Sequence, residues 1–559
     1  MSPALTHYLK PDLRSIMFTC KGLSAVALAL AISMSLDLDK PFWAMVASMM
    51  LQARPEAGLV IEKAACLVLG STVGAAIAIL ILDNLTPYPV LAIGALVLCV
   101  AVTSAIASTI RHVNFVFATA LVSVTAILIV LFAMADPANT NSGSIFMVVR
   151  ARLSEVLVGA SSAILASVLL YPFKVQKVLE TGMNRLRDLS LTHVSAILQA
   201  QSNPTAVHQQ RIGIIALATS INDDANAGRY ELASNVDAAL ITASNAFTIV
   251  ARGQTIERIL SDNPKRLPDM LARFVDQHAH GCSLLETESL DKVSEALSAM
   301  RGACDSIAGG SHGTQRFPRF NRHRDWLVGL RSALRSSLVF LSAIGIWIMS
   351  GEHAALIMMI VLPALLSQIF SSHPAPRVAT AKLLGGALIA IPIAILFVLS
   401  LLAQGSADFE MLILVLSAPL FLGLMSMTSP TLAPYGLGFC LTLAVIVQPS
   451  NYMTFAIDQC LSTGLGIAVG LGLLYVGFDL LGPPKHLWLQ RRLINALKLD
   501  LQTMRKRRLS TNWLNQRAAE RLSYLTAYEP QTPVGTALTR QGLNVFESGH
   551  RMKPASDEQ

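Results

Sequence analysis

The chain contains few charged residues and few cysteines. Of its 559 residues, only 14% are Asp, Glu, Lys or Arg, against about 25% in ordinary soluble domains. Seven cysteines in a chain of this length imply no disulfide framework. Five of them lie within or beside apolar stretches, where a small buried hydrophobe is expected: Cys20, Cys66, Cys99, Cys440 and Cys460. This composition argues against a disordered chain, a disulfide scaffold and a secreted enzyme.

The sequence also lacks the common motifs of catalysis and energy coupling. It has no GxxxxGK[ST] loop, no HExxH and no serine in a strand–turn–helix GxSxG setting. A P-loop pump is therefore excluded unless another chain supplies the nucleotide-binding part. Gly466 and Gly470, like Gly70 and Gly74, lie in apolar helices, where glycines four apart indicate close helix packing. We predict a protein that is not an enzyme and that has no cofactor.

A short histidine and cysteine cluster is the only sequence signal for a metal. His278, His280 and Cys282 form an H-x-H-x-C run, yet no fourth ligand follows at a familiar spacing. Polar side chains on a helix surface are the favoured interpretation, and no metal site is predicted.

Apolar residues are abundant instead. They make up 53% of the chain, and the mean hydropathy is +0.54. A bilayer core needs about 20 apolar residues per helix, and this criterion predicts twelve spans. The spans are residues 16–36, 41–53, 64–82, 89–110, 113–135, 150–171, 332–350, 354–371, 378–402, 410–427, 430–449 and 456–481. The second is short and is a candidate for a broken or re-entrant helix.

The charges between the spans predict the topology. One side carries most of the basic residues, namely Lys10, Arg14, Arg54, Lys63, Arg111, Lys174, Lys177, Arg377, Lys382 and Lys485. The other side carries the acidic residues Asp37, Asp39, Asp83, Asp136, Glu352, Asp408, Glu410 and Asp458, with Lys40 as the clear basic exception. Because basic loops remain in the cytoplasm, both termini and the long middle segment are expected there. The alternative of a cleaved signal peptide at Ala29-Leu30-Ala31 is disfavoured by Lys21 inside the apolar run.

The two sets of six spans resemble each other weakly. Phe42-Trp43-Ala44, followed by Arg54-Pro55 and Lys63, parallels His353-Ala354-Ala355, followed by His373-Pro374 and Lys382. We therefore predict an all-α polytopic membrane protein with two parallel six-helix repeats, residues 1–172 and 326–482, and a pathway between them. Residues 173–325 are polar enough for a cytoplasmic helical domain, which would offer an assembly surface. Residues 483–559 are expected to form a basic helical tail.

The basic tail suggests contact with a polyanion. Arg505-Lys506-Arg507-Arg508 would suit anionic lipid headgroups. Nucleic-acid binding is the weaker alternative, because no aromatic or fold signature accompanies the basic cluster. We predict no nucleic-acid partner.

Ionisable residues at the sixth span are the sharpest functional signal. Arg150, Arg152 and Glu155 form an R-x-R-x-x-E pattern, and Arg152 and Glu155 share a helix face on which they can pair. Burying such groups in a membrane without a partner is costly. One interpretation is an arginine that attracts an anion beside a carboxylate that carries a proton. The other is an interfacial ion pair that fixes the depth of the helix.

Other candidates flank the spans. Arg54, Lys63, Arg377 and Lys382 would attract organic anions at the inner face, although the topology alone would account for them. Glu62 is a second candidate for proton coupling. Trp43 would stack on an aromatic substrate, or else anchor a helix end at the interface.

The arrangement resembles the fusaric acid resistance protein family. The resemblance rests on Lys40-Pro41-Phe42-Trp43-Ala44, on Glu62-Lys63 running to Gly74, and on Arg152-x-x-Glu155-x-x-x-Gly159 running to Tyr171-Pro172. It covers about residues 10–172 and 325–482. It implies an inner-membrane exporter of aromatic carboxylic acids that works with a periplasmic adaptor and sometimes an outer-membrane channel. The family offers no established binding residues to carry over.

We therefore expect a homo-oligomeric exporter driven by the proton gradient. Substrate would be attracted by the inner basic residues and would move between the two repeats, while Glu155 or Glu62 exchanges a proton. Two rival functions remain: a passive organic-anion channel, and a membrane scaffold whose working surface is the cytoplasmic domain.

Overall fold

The computed structural model describes most of the chain and contains only helices and connecting turns in that part. The described residues are 11–52, 57–110, 113–135, 141–170, 175–198, 204–228, 235–262, 325–351, 354–373, 375–405, 408–453, 455–482, 486–527 and 532–551. They fall into two compact units. The first contains residues 1–173 and 324–483, and the second contains residues 174–323 and 484–559.

The helices follow the apolar segments of the sequence. The first membrane segment contains α1 (Leu13–Ser35), α2 (Pro41–Leu51), α3 (Ala57–Leu85), α4 (Pro89–Thr109), α5 (Val113–Ala135) and α6 (Ser142–Leu170). The insert contains α7 (Val175–Leu198), α8 (Pro204–Gly228) and α9 (Val236–Asp262). The second membrane segment contains α10 (Trp326–Met349), α11 (Met358–Ile369), α12 (Pro376–Pro392), α13 (Ser400–Gln404), α14 (Phe409–Met427), α15 (Ala433–Val447) and α16 (Ile457–Leu480). The tail contains α17 (His486–Arg507), α18 (Thr511–Ala527) and α19 (Pro533–His550).

Nine of the described helices are long and apolar enough to cross a membrane, counting α12 and α13 with the π-helix Ile393–Leu399 between them as one. Pro392 ends the regular part of that helix, because a proline inside a helix removes a backbone hydrogen bond. The predicted all-helical, polytopic fold is therefore confirmed, and the protein is a multi-pass membrane protein.

Three apolar helices are too short to span: α2, α11 and α15. Eleven residues of α2 rise only about 16 Å, roughly half of a bilayer core. Every residue of α2 is buried, and almost all of α11 is buried too. The short second span predicted from the sequence is therefore present as an interior helix that other helices surround.

The two membrane segments pack on each other reciprocally. Helix α1 contacts α14 and α10 contacts α4, so the first helix of each segment meets the fourth of the other. Likewise α2 contacts α15 and α11 contacts α5, so the second helix of each meets the fifth of the other. A hydrogen bond from Gln368 Nε2 to Ser123 Oγ, 2.7 Å long, joins α11 to α5.

Glycines create matching close approaches in both segments. A Cβ atom on Gly70 would lie 2.5 Å from Ala118 O of α5, and one on Gly386 would meet Tyr435 O of α15. In the same way, a Cβ on Gly159 would lie 2.6 Å from Ala44 O, and one on Gly470 would meet Met359 O. The predicted packing role of Gly70 and Gly470 is confirmed, since any larger side chain would push the paired helices apart.

The second unit has a core of its own, built from both the insert and the tail. Phe247 of α9 packs edge-on against Phe546 of α19, with ring centres 6.4 Å apart, inside one cluster that spans α7–α9 and α17–α19. Glu547, which is fully buried, accepts hydrogen bonds from Thr255 and Arg258. The sequence patterns predict the insert and the tail as separate segments, whereas in the structure their helices share one hydrophobic core. Their cytoplasmic location stays a prediction.

Two sequence signals in this unit have different outcomes. His278, His280 and Cys282 lie outside the described residues, and the described part contains no group of three or more side chains suited to a metal. Arg505, Lys506, Arg507 and Arg508 are all exposed at the end of α17. Lipid contact by this basic cluster stays a prediction.

Candidate functional site

A buried ion pair lies in the first half of α6 (Ser142–Leu170), about three turns from its beginning rather than at the span start predicted at residue 150. Arg152 and Glu155 are three residues apart, so their side chains leave the same face of the helix. Nη1 of Arg152 lies 3.6 Å from Oε2 of Glu155, and the two residues are only 9% and 2% exposed. The structure therefore brings together the two groups that the R-x-R-x-x-E pattern indicates.

An aromatic ring of α2 covers the arginine of this pair. The guanidinium carbon of Arg152 lies 4.4 Å from the centre of the Trp43 ring, within the range of a cation–π contact. Phe42 lies beside Trp43, with ring centres 5.0 Å apart. The contact depends on the close packing of α6 on α2 at Gly159 and Ala44.

A second cation, Lys40, lies close to the beginning of α2, beside a different aromatic ring. Its Nζ is 3.6 Å from the centre of the Phe132 ring near the end of α5. Lys40 directly precedes Pro41, the first residue of α2. The turn between α1 and α2 thus places a lysine beside the helix that carries Trp43.

Two adjoining cavities surround these side chains. The smaller, of about 220 Å³, is lined by Lys40, Trp43, Phe132, Arg152 and Glu155, together with Asp39 and apolar residues of α5 and α6. The larger, of about 690 Å³, lies between the two membrane segments, and its volume is typical of a ligand pocket. Asp39, Lys40 and Phe132 line both cavities.

The second membrane segment contributes different chemistry at the corresponding place. Gly159 and Gly470 make equivalent contacts, and Arg152 precedes Gly159 by seven residues as Thr463 precedes Gly470. On this register Glu155 corresponds to Gly466. Thr463 and Asp458 line the larger cavity. The charged pair therefore occurs in the first segment, with neutral residues at the equivalent positions of the second.

The remaining candidates of α3 and α6 lie apart from these cavities. Glu62 is buried and accepts a 2.9 Å hydrogen bond from Asn114 Nδ2. Lys63 Nζ donates a 2.5 Å hydrogen bond to Met50 O and lies 4.8 Å from the Phe117 ring centre. Arg150 is exposed and lines neither cavity. Roles for these residues in binding or proton coupling stay predictions.

The basic candidates of the second segment are held by local contacts. Arg377 is exposed, lies 2.8 Å from Asp479 Oδ1 and donates to the Tyr475 hydroxyl. Lys382 Nζ donates a 2.9 Å hydrogen bond to Thr431 O. Arg54, the remaining predicted anion ligand, lies outside the described residues.

The candidate set from the sequence omits three residues that the structure makes prominent. Lys40 was visible as the basic exception in a set of acidic loops, while nothing in the sequence singles out Phe132. Arg335 of α10 is buried, donates to Ser332 Oγ at 3.0 Å and Ser367 O at 3.2 Å, and lies 4.2 Å from the Phe478 ring centre. These contacts tie α10 to α11 and α16.

Comparison with known proteins identifies the relatives of this chain. Residues 15–308 and residues 266–553 each match the fusaric acid resistance protein family. The p-hydroxybenzoic acid efflux pump subunit AaeB of Edwardsiella tarda (strain FL6-60) is 23% identical over 506 residues, covering 83% of this chain and 76% of the relative. An uncharacterized transporter, GOX0755, of Gluconobacter oxydans (strain 621H) is 26% identical over 230 residues, covering 41% of this chain and 30% of the relative. No solved structure matches the chain.

Proposed function

This chain belongs to the fusaric acid resistance protein family, and we propose that it is a membrane efflux transporter that exports aromatic carboxylic acids. A relative is named as the subunit of a p-hydroxybenzoic acid efflux pump. The observation that carries the proposal is the buried Arg152–Glu155 pair beneath the Trp43 ring, on the wall of a cavity.

The smaller cavity suits an acid with a single aromatic ring. A dry cavity of about 150 Å³ admits benzene, so about 220 Å³ leaves room for a ring and a carboxylate. Arg152 would bind the carboxylate, since a guanidinium fits a carboxylate through two parallel hydrogen bonds. Trp43 and Phe132 would contact the ring faces. The carboxylate and the ring of such a substrate would each contact side chains of matching chemistry.

Glu155 is suited to couple transport to protons. When it is charged, its carboxylate pairs with Arg152 and competes with an organic anion for the guanidinium. When it is protonated, that competition is removed. Proton binding at Glu155 and anion binding at Arg152 are therefore thermodynamically linked. Glu62, bound to Asn114, is the second candidate for the proton site.

Basic residues would supply the site with anions. Arg54, Lys63, Arg377 and Lys382 would raise the local concentration of organic anions at the inner face, and the exposed Arg150 would add positive charge within the first half of α6. The substrate would then pass between the two membrane segments, where the larger cavity lies.

The same relationship supports a proposal for the cellular setting. We place the protein in the bacterial inner membrane as a multi-pass chain with cytoplasmic N- and C-termini, since most basic loops share their side. A relative is named as a subunit, which supports work with a periplasmic adaptor of the membrane fusion type and an outer-membrane channel. A homo-oligomer is also proposed.

Export of 4-hydroxybenzoate from preloaded, energised cells tests the proposal. Wild-type cells should export the acid against its gradient, and an uncoupler should abolish this. Glu155→Gln should remain in the membrane and lose uphill export, because the amide cannot exchange the proton. Glu410→Gln, at an exposed glutamate in the first turn of α14, is the matched control and should export normally.

Three outcomes would contradict parts of this proposal. Uphill export by Glu155→Gln would remove that residue from coupling. Downhill flux alone in wild-type cells would identify a passive anion channel. No flux of any aromatic acid, even with an adaptor co-expressed, would favour a membrane scaffold.

A further inference from the structure

Lys40 lines both cavities and lies outside the Arg152–Glu155 pair. Together with Asp39 and Phe132, it lines both the cavity of about 220 Å³ and the cavity of about 690 Å³. A substrate that moves from one cavity to the other would pass near the residues that line both, of which Lys40 is the cation. Its sequence position is unusual too, because it is the clear basic residue among acidic loops.

The ammonium group of Lys40 contacts an aromatic ring and no acceptor. Its Nζ lies 3.6 Å from the Phe132 ring centre. Within the described part of the chain, it forms no hydrogen bond and no carboxylate lies within 4.0 Å. An ammonium has three hydrogen-bond donors, so this one can accept a ligand without losing a protein partner.

The surroundings of Lys40 favour an anionic ligand. Burial lowers the pKa of Lys40, while the carboxylates of Glu155 and Asp39 raise it and Arg152 lowers it. The nearby carboxylates therefore do not fully compensate the charged form of Lys40 for the water contacts that it loses on burial. A carboxylate bound directly to Nζ would supply the missing compensation.

Two cations held on aromatic faces converge on the smaller cavity. Arg152 stacks on Trp43 at 4.4 Å, and Lys40 stacks on Phe132 at 3.6 Å. The guanidinium is shared with Glu155, whereas Lys40 has no such competitor within ion-pair distance. An organic anion in this cavity would therefore compete with Glu155 for Arg152. It would have no protein carboxylate to displace from Lys40.

The larger cavity lacks the second cation. It is lined by Asp458 and by Asp39, which it shares with the smaller cavity, and Lys40 is the basic residue among its lining residues. An organic anion is repelled by these carboxylates once it leaves Lys40. Binding is therefore favoured at the boundary and release is favoured beyond it.

We infer that Lys40 is a substrate-binding residue that holds the carboxylate of the exported acid at the junction of the two cavities and selects acids over neutral aromatic compounds. This inference rests on the proposed function. It adds a ligand that the Arg152–Glu155 pair does not supply.

The experiment compares a carboxylate with its neutral amide. Purified full-length protein in proteoliposomes is assayed with 4-hydroxybenzoate and 4-hydroxybenzamide, using Lys40→Met, Lys40→Gln and Lys40→Arg. Loss of a charge-assisted hydrogen bond should raise the KM for 4-hydroxybenzoate about 10- to 100-fold in the two neutral variants. The KM for 4-hydroxybenzamide should be the same in the neutral variants as in the wild-type protein. Lys40→Arg keeps the positive charge, so its KM for 4-hydroxybenzoate should be close to the wild-type value.

Equilibrium binding provides a second readout. 4-Hydroxybenzoate should raise the Tm of the wild-type protein, because a ligand that binds only the folded state stabilises it. This shift should be lost in Lys40→Met and kept in Lys498→Met, a change at an exposed lysine of α17. Both variants should melt near the wild-type Tm in the absence of ligand.

The outcomes separate this inference from the proposed function. Export by the wild-type protein with an unchanged KM in both neutral variants would overturn the role of Lys40 and leave the exporter standing. An equal loss for acid and amide would assign Lys40 a structural role and also overturn the inference. No export and no thermal shift in the wild-type protein would overturn both.

Discussion

Arg152 of α6 lies against the ring face of Trp43 of α2, with 4.4 Å between the guanidinium carbon and the ring centre. The two residues are 109 positions apart in the chain. They meet because Gly159 lets α6 approach the backbone of α2 at Ala44. The contact holds a charged group in a buried position and presents the ring to the same cavity.

Replacing Trp43 should weaken substrate binding. Trp43→Ala removes both the ring over Arg152 and the surface for an aromatic substrate. A cation–π contact of about 0.5–2 kcal/mol predicts a rise in the KM for 4-hydroxybenzoate of about 2- to 30-fold. Trp43→Phe keeps a ring and should show a smaller rise. Equal KM values for the alanine variant and the wild-type protein would show that the ring does not contact the substrate.

Glycine packing in α16 offers a matched test of the fold. In Gly470→Ala the new Cβ would meet Met359 O and lie 2.9 Å from Pro363 Cγ. Overpacking of this kind costs about 1–3 kcal/mol, so the Tm of the purified protein should fall. Gly472→Ala adds a Cβ with no heavy atom within 4 Å and should leave the Tm unchanged or higher. A similar Tm for both variants would contradict the close approach of α16 and α11.

The second unit should lose stability in mild acid. Burial lowers the pKa of His550 to about 3, with the charge of Arg252 acting in the same direction. Burial likewise lowers the pKa of His193 to about 3. An unfolded histidine titrates near pH 6.5, so below that pH the unfolded chain takes up protons that the folded unit cannot. Stability should be full above about pH 6.5 and should fall as the pH drops towards 3.

Hydrogen exchange of α19 in the full-length protein measures this loss. Between pH 6.5 and 5, each histidine should contribute a loss of up to about 1.4 kcal/mol per pH unit. His550→Gln should be less stable at pH 7.5 and should show a flatter pH dependence. His486→Gln, at an exposed position of α17, is the control and should keep the wild-type profile. An unchanged slope in His550→Gln would contradict the neutral, buried state of His550.

Local patterns predicted where the helices of the membrane unit lie, but they were wrong about length for α11 and α15, which were predicted as the spans 354–371 and 430–449 and are too short to cross. Runs of apolar residues are a property of the sequence itself, so the short α2 and the long spans could both be recognised. Gly70 and Gly470 were recognised because small residues in apolar helices have few other uses. The Arg152–Glu155 pair could be found because both residues lie on one helix turn.

The long-range partners could not be predicted. Lys40 and Phe132 are 92 positions apart, and no periodicity links a lysine in a turn to a phenylalanine near the end of another helix. The shared core of α9 and α19 could not be predicted for the same reason, since Phe247 and Phe546 meet only when the two parts of the chain fold together. Such contacts depend on how helices pack, and amphipathic patterns do not specify which helices pair.

The two halves of the membrane unit carry different charges, and this difference predicts how many substrate molecules one chain binds. The helices pair reciprocally, yet Thr463 and Gly466 stand where the first half has Arg152 and Glu155. A dimer of identical half-length chains would necessarily carry this pair twice, with two acidic groups to titrate in each turnover. With both halves in one chain, the charges occur in one half, while the helices of the other half still pack reciprocally with it. One chain should therefore carry one acid per cycle, and saturation binding of 4-hydroxybenzoate should reach one molecule per polypeptide.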